Sequence, residues 1–228
     1  MSVLPIWDRE NRDNCFAAKP LVKNVDEIIF SPTVVEALRN RWIKGFFQFY
    51  PPYEIGLNQT CAILWEWKNH YEHLFSSDVE DLLKASGCEY AKHDVDLRRE
   101  DRNGNHPTID KMGDYDVIGL SQRNKTIYII ECKVLQPIGS IFEHSNQQKL
   151  FFNKKAYDEK FQKRIDYFRS VAVSFFENNG YSITEDYCIR PYMVVNKVFS
   201  SYYKPVSFPI ITYGELKAEL ETDKRRMD

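Results

Sequence analysis

Val34, Val35, Leu38, Trp42 and Phe46 recur at helical spacing, which predicts a helix starting at Ser31-Pro32. Gly45 and the run Tyr50-Pro51-Pro52-Tyr53 close it. A second stripe, Leu64, Trp67, Tyr71, Leu74, Phe75, Val79, Leu82 and Leu83, predicts a helix over 58–86, with the Trp and Tyr side chains before residue 75 in the core. Ser76-Ser77-Asp78 is a candidate break and Gly87 a stop. The period then shortens. Residues 88–97, 114–120 and 126–134 read as strands, separated by an exposed polar loop (98–112) and a turn (121–125). The last of these strands is apolar on both faces in its first half, as in a sheet covered on both sides. Residues 135–143 are irregular. Leu150, Tyr157, Phe161, Ile165, Phe168, Ala172 and Phe175 then predict one long helix over 145–178, closed by Gly180. Strands over 188–195 and 208–212 and a helix over 213–221 complete the chain.

Helix, three strands, helix, strand is the order of a mixed α/β sheet with helices on its faces. Residues 1–70 read as a helical N-terminal extension and 71–228 as the sheet domain. Composition narrows the classes. The chain has 228 residues, 43% apolar and 28% charged, which excludes a disordered polymer. No stretch approaches the roughly 18 apolar residues of a membrane span. The first residues, MSVLPIWDRENRD, lack the apolar core of a secretory signal. Cys15, Cys61, Cys88, Cys132 and Cys188 are scattered, as expected of reduced cytoplasmic thiols. A net charge of −2 speaks against indiscriminate coating of nucleic acid, so any such contact is local.

The chemistry concentrates in Gly113-Asp114-Tyr115-Asp116 and Ile130-Glu131-Cys132-Lys133. Side chains alternate along a strand, so Glu131 and Lys133 share a face and Cys132 turns to the other, packing as a small apolar residue. Charges at the end of an apolar strand need partners. Folding the two strands into a hairpin about 121–125 places Asp116 opposite residue 130 or 131, within reach of one hard cation shared with Glu131. A divalent ion removes the repulsion between two such carboxylates.

Asp116, an apolar stretch, a turn and Glu131-Cys132-Lys133 at a strand end together resemble the PD-(D/E)xK nuclease superfamily over about residues 72–213. The resemblance implies a restriction endonuclease-like αβββαβ core, here with the N-terminal helical extension. It implies Mg²⁺, or Mn²⁺ in its place, ligated by Asp116, Glu131 and the Cys132 carbonyl. Lys133 would orient the attacking water and stabilise phosphate charge, and Asp114 could assist Asp116. Many members carry a Glu on the preceding helix where this chain has Ser76. Glu72 and Glu80, one turn either side, are the candidates for that third carboxylate. The implied activity is endonucleolytic cleavage of DNA, of restriction, defence or repair type, leaving a 5′-phosphate, with RNA as the other admissible substrate. A homodimer, or a place within a larger protein or complex, would suit double-strand cutting. The alternative is a non-catalytic nucleic-acid or protein-binding module on the same fold.

Local positive charge comes from the long helix. Lys149, Lys154, Lys155 and Lys160 are candidate phosphate contacts, and Gln147, with Gln148, resembles polar helix residues near the site in some members of that superfamily. Lys163, Arg164 and Arg169 add to that charge, which reads equally as a solvated face with pairing one turn apart. His70 and His73 supply two ligands, short of a metal site. Phosphate-loop, dinucleotide-loop and nucleophile-elbow motifs are absent.

Overall fold

The computed structural model describes residues 21–24, 27–47, 58–101, 106, 113–135, 141–184, 186–199 and 204–225. The chain divides into two compact units, Met1–His70 and Tyr71–Asp228. In the first, strands β1 (Leu21–Asn24) and β2 (Glu27–Phe30) pair antiparallel, so this unit is not wholly helical. Helix α1 (Pro32–Phe47) follows, its first turn closed by the Val35 N–H donating to the Ser31 carbonyl at 3.0 Å. The Tyr50–Tyr53 stop lies outside the described residues.

Helix α2 (Asn58–Ala85) begins in the first unit and ends in the second. It is unbroken at Ser76, whose hydroxyl bonds back to the Glu72 carbonyl at 3.3 Å, within the helix, rather than capping a new one. Gly87 stops it at φ 96°. The Gly87 N–H donates to the Lys84 carbonyl and the Cys88 N–H to the Leu83 carbonyl, a left-handed cap that glycine adopts without strain.

Strand β3 (Tyr90–Val95) is followed by a short helix, α3 (Leu97–Glu100), capped by Asp96. Strands β4 (Tyr115–Ser121) and β5 (Thr126–Lys133) form the expected hairpin. The 98–112 segment departs from the expected exposed loop where it is described. Asp101 and His106 are buried because they satisfy each other, at 2.9 Å, with Tyr167 and Asn178 completing their hydrogen bonds.

The single long helix expected over 145–178 is three pieces: α4 (Ile141–Lys149), a π-helical turn over Leu150–Lys154, and α5 (Tyr157–Asn178). Adjacent Phe151 and Phe152 are both buried on the π-helical turn, and left-handed Ala156 resets the chain before α5. Strands β6 (Cys188–Val195) and β7 (Ile210–Thr212) and helix α6 (Tyr213–Arg225) follow.

The sheet order is β3-β4-β5-β6-β7. In the first three strands β4 pairs antiparallel with both β3 and β5, and β6 and β7 add in parallel. Its faces carry separate apolar clusters. Ile118, Leu120, Ile127, Ile129 and Met193 pack with Phe161, Ile165, Phe168 and Phe175 of α5. Val117, Tyr128, Ile130, Cys132 and Val194 pack with Phe75, Val79 and Leu83 of α2 and Leu216 and Leu220 of α6. Each such large aliphatic side chain, fully buried, contributes about 1.5–3 kcal/mol. The core therefore sits on both sides of β5, every residue of which is buried from Thr126 to Cys132.

The α2 stripe is narrower than expected. Trp65 and Trp67 are 61% and 60% exposed, against 7% or less for Phe75, Val79 and Leu83. Trp65 and Trp67 fall in the first unit, Met1–His70, whereas Phe75, Val79 and Leu83 belong to the second and join its apolar cluster. Among the described residues no helix is long and apolar enough to cross a membrane.

Candidate active site

The β4–β5 ladder runs from Ser121↔Thr126 to Val117↔Ile130. One residue beyond, Asp116 continues it with its side chain: Oδ2 accepts the Cys132 N–H at 2.7 Å. A carboxylate here replaces a backbone acceptor at the end of the hairpin, which fixes its direction. Glu131 and Lys133 lie next to it on β5. Lys133 Nζ is 2.6 Å from Glu131 Oε1 and 3.4 Å from Asp116 Oδ2, so those two oxygens are at most about 6 Å apart. The expected convergence of Asp116, Glu131 and Lys133 is thus present.

The sequence pattern places Arg164 among several charges on a helix face. It is a buried member of the cluster. Its Nη2 is 2.5 Å from Glu131 Oε2, and Nη1 donates to the Asp114 carbonyl at 2.5 Å. Tyr115 holds the same turn of α5, its hydroxyl donating to the Arg164 carbonyl at 3.0 Å. A signal was available: Arg164 lies between Phe161, Ile165 and Phe168 on the apolar stripe, where an unpaired cation would be costly. Tyr157 also joins, its ring centre 5.4 Å from Lys133 Nζ.

The electrostatics are those of a crowded, poorly hydrated cluster. Burial, and then the charge of Glu131, push the Asp116 carboxyl up to about 7. Burial also acts to raise Glu131, but Lys133 and Arg164 outweigh it and hold Glu131 below its ordinary value. Burial opposes the Lys133 ammonium, yet Glu131 and Asp116 raise it above the usual lysine range.

The other candidates separate. Cys132 is buried on the α2 face as expected, its thiol pushed up by burial and then by Asp116, with Ser76 beside it. Its carbonyl oxygen lies 3.1 Å from Lys133 Nζ. The Asp114 side chain is exposed, and its contribution is the backbone carbonyl that receives Arg164. Glu80 is committed elsewhere: it accepts the His93 N–H at 2.7 Å and pairs with the His93 ring and Lys84. Glu72 is half-buried on α2, one turn before Ser76. Lys149 and Lys160 are exposed, on α4 and α5, and Lys155 is exposed 6.0 Å from the Tyr157 ring centre. Gln147 is half-buried and Gln148 buried. The Lys154 side chain lies outside the described ones. His73 bonds Asp94 at 2.9 Å.

Among the described residues, no three His, Cys, Asp or Glu side chains form a ready-made metal site. The cluster instead offers two carboxylates and the Cys132 carbonyl. These are oxygen donors suited to a hard ion such as Mg²⁺, which keeps several waters of its own. Comparison with protein-family models, curated proteins and solved structures finds no match to this chain.

Proposed function

We propose that this chain is a metal-dependent phosphodiesterase that cleaves DNA endonucleolytically, on a restriction endonuclease-like αβββαβ core. The carrying observation is the convergence of Asp116, Glu131 and Lys133 at the open end of the β4–β5 hairpin. The element order α2, β3, β4, β5, α5, β6 supports the same reading. Asp116, Glu131 and the Cys132 carbonyl would hold Mg²⁺ or Mn²⁺. When bound, the ion polarises the phosphate and lowers the pKa of a water. Lys133 orients that water and neutralises charge on the phosphate oxygens. Arg164 fixes the Glu131 carboxylate. Lys149, Lys155 and Lys160 make phosphate contacts that position the duplex without reading its sequence. The cytoplasm is the expected compartment.

One observation favours the second reading, a non-catalytic nucleic-acid or protein-binding module: both Glu131 oxygens are already engaged by cations. Nicking of supercoiled plasmid separates the two, with Mg²⁺ or Mn²⁺ and with RNA as a parallel substrate. Wild type should cleave, and Asp116→Asn, Glu131→Ala and Lys133→Ala should each lose roughly 100-fold or more. Cleavage unchanged in all three variants would refute this site, and cleavage absent from the wild type with every metal and substrate would leave the binding module.

A further inference from the structure

The Lys133 ammonium contacts Glu131 Oε1 at 2.6 Å, the Cys132 carbonyl oxygen at 3.1 Å and Asp116 Oδ2 at 3.4 Å. Those three groups are the donors that the proposed function assigns to the divalent ion. The space they surround admits one cationic centre, because two within it would repel strongly where little water screens them. Resting on that reading, we propose that Lys133 is a built-in competitor of the metal: its ammonium holds the two carboxylates together in the metal-free protein and leaves them when the ion enters.

The exchange is one-sided. Arg164 is anchored twice, on Glu131 Oε2 and on the Asp114 carbonyl, and its side chain is 9% exposed. It stays and keeps Glu131 in place. Lys133 ends in a flexible unbranched stem, is 24% exposed, and has the Tyr157 ring as a second partner for its ammonium. Removing Lys133 therefore tightens ion binding even though it removes the group assigned to the water and the phosphate. A lysine that acted only on the substrate would leave ion affinity unchanged.

The test is titration of the metal-free full chain with Mn²⁺, followed by the paramagnetic resonance signal of the free ion. K133M should bind Mn²⁺ at least roughly tenfold more tightly than wild type, and D116N at least roughly tenfold more weakly. K163M removes an exposed cation next to Arg164 on α5 and should change affinity by less than about twofold. Circular dichroism confirms folding, and K133Q serves with the same expectation if K133M does not fold. Equal or weaker Mn²⁺ binding by the Lys133 variants overturns the proposal. So does a gain in K163M as large as theirs, or an absence of Mn²⁺ binding to folded wild type and K133M alike. Tighter binding by K133M in a chain whose wild type cleaves neither DNA nor RNA upholds the competition and removes the nuclease.

Discussion

Arg164→Met tests whether the guanidinium supports the candidate site. The substitution keeps an unbranched side chain of helix-favouring type but strips two hydrogen bonds, to Glu131 Oε2 and to the Asp114 carbonyl. Glu131 is 2% exposed, so water does not replace the lost donor. Breaking a buried ion pair from one side costs about 3–5 kcal/mol. Lys133 remains on Oε1 and offsets part of that, which places the expected loss near about 3 kcal/mol. For a chain of this size that corresponds to a fall in Tm of about 6–12 °C. The complementary variant, Glu131→Leu, instead takes the Glu131 carboxylate from Arg164, which keeps the Asp114 carbonyl, and from Lys133, which keeps Asp116. The double variant leaves Lys133 beside Asp116 and should be more stable than the two single losses sum to, by about 1–3 kcal/mol. Thermal melts of the four metal-free chains by circular dichroism measure the cycle. A loss below about 1 kcal/mol for Arg164→Met, or strictly additive losses, would refute a structural role for this pair.

Three further outcomes follow from the same geometry. Asp116 is held near about 7 by burial and by Glu131, against 3.8 ordinarily, so between those values the folded chain keeps a proton the unfolded chain has released. Stability of the metal-free protein therefore falls as pH rises from about 4 to about 7 and levels off above. Glu131, held below its ordinary 4.5, acts only at lower pH. Melts at about pH 5.5, 6.5 and 7.5 should show the decline in wild type and a flatter profile in Asp116→Asn; parallel profiles would refute the assignment. Gly119→Ala places a Cβ 2.7 Å from the Leu83 Cδ1 atom in the buried α2–sheet contact, so Tm should drop by the equivalent of about 1–3 kcal/mol, and an unchanged Tm would disprove that close approach. Asp101→Ala leaves the His106 ring and the Asn178 amide without their shared acceptor and should cost about 2–3 kcal/mol by the same melts, whereas a loss under about 0.5 kcal/mol would show that water takes its place.

Local pattern made much of this architecture readable. Strand β6 matches its expected span, and Gly87 and Gly180 end their helices with left-handed φ of 96° and 85°, because a stop depends on a single residue's backbone freedom. The hairpin was legible because turn length fixes register and register fixes which side chains meet. What pattern could not carry was tertiary. The π-helical turn at Leu150–Lys154 arises where Phe151 and Phe152 both bury, a demand that only the packed core makes. Asp101 and His106 read as polar loop residues because their partners, Tyr167 and Asn178, lie more than sixty positions away. Arg164 reads as a surface charge for the same reason: Glu131 is distant in sequence and adjacent in space.

The cluster's composition argues for more than stability. A buried ion pair is weak support for a fold, and apolar residues of similar volume often do better. Strand β5 shows that alternative at Ile127, Ile129 and Ile130, so the charges at its end are a local departure from what the core uses. With both carboxyls ionised, Asp116, Glu131, Lys133 and Arg164 together carry no net charge, and the burden of holding them together shows in Asp116, whose carboxyl burial and Glu131 push up to about 7. On the proposed reading a divalent ion relieves that burden and releases the ammonium. The four side chains with the ion then carry an excess of positive charge at the hairpin end, and a phosphodiester is an anion. One set of residues thus gives a neutral cluster without substrate chemistry and a cationic one suited to a phosphate.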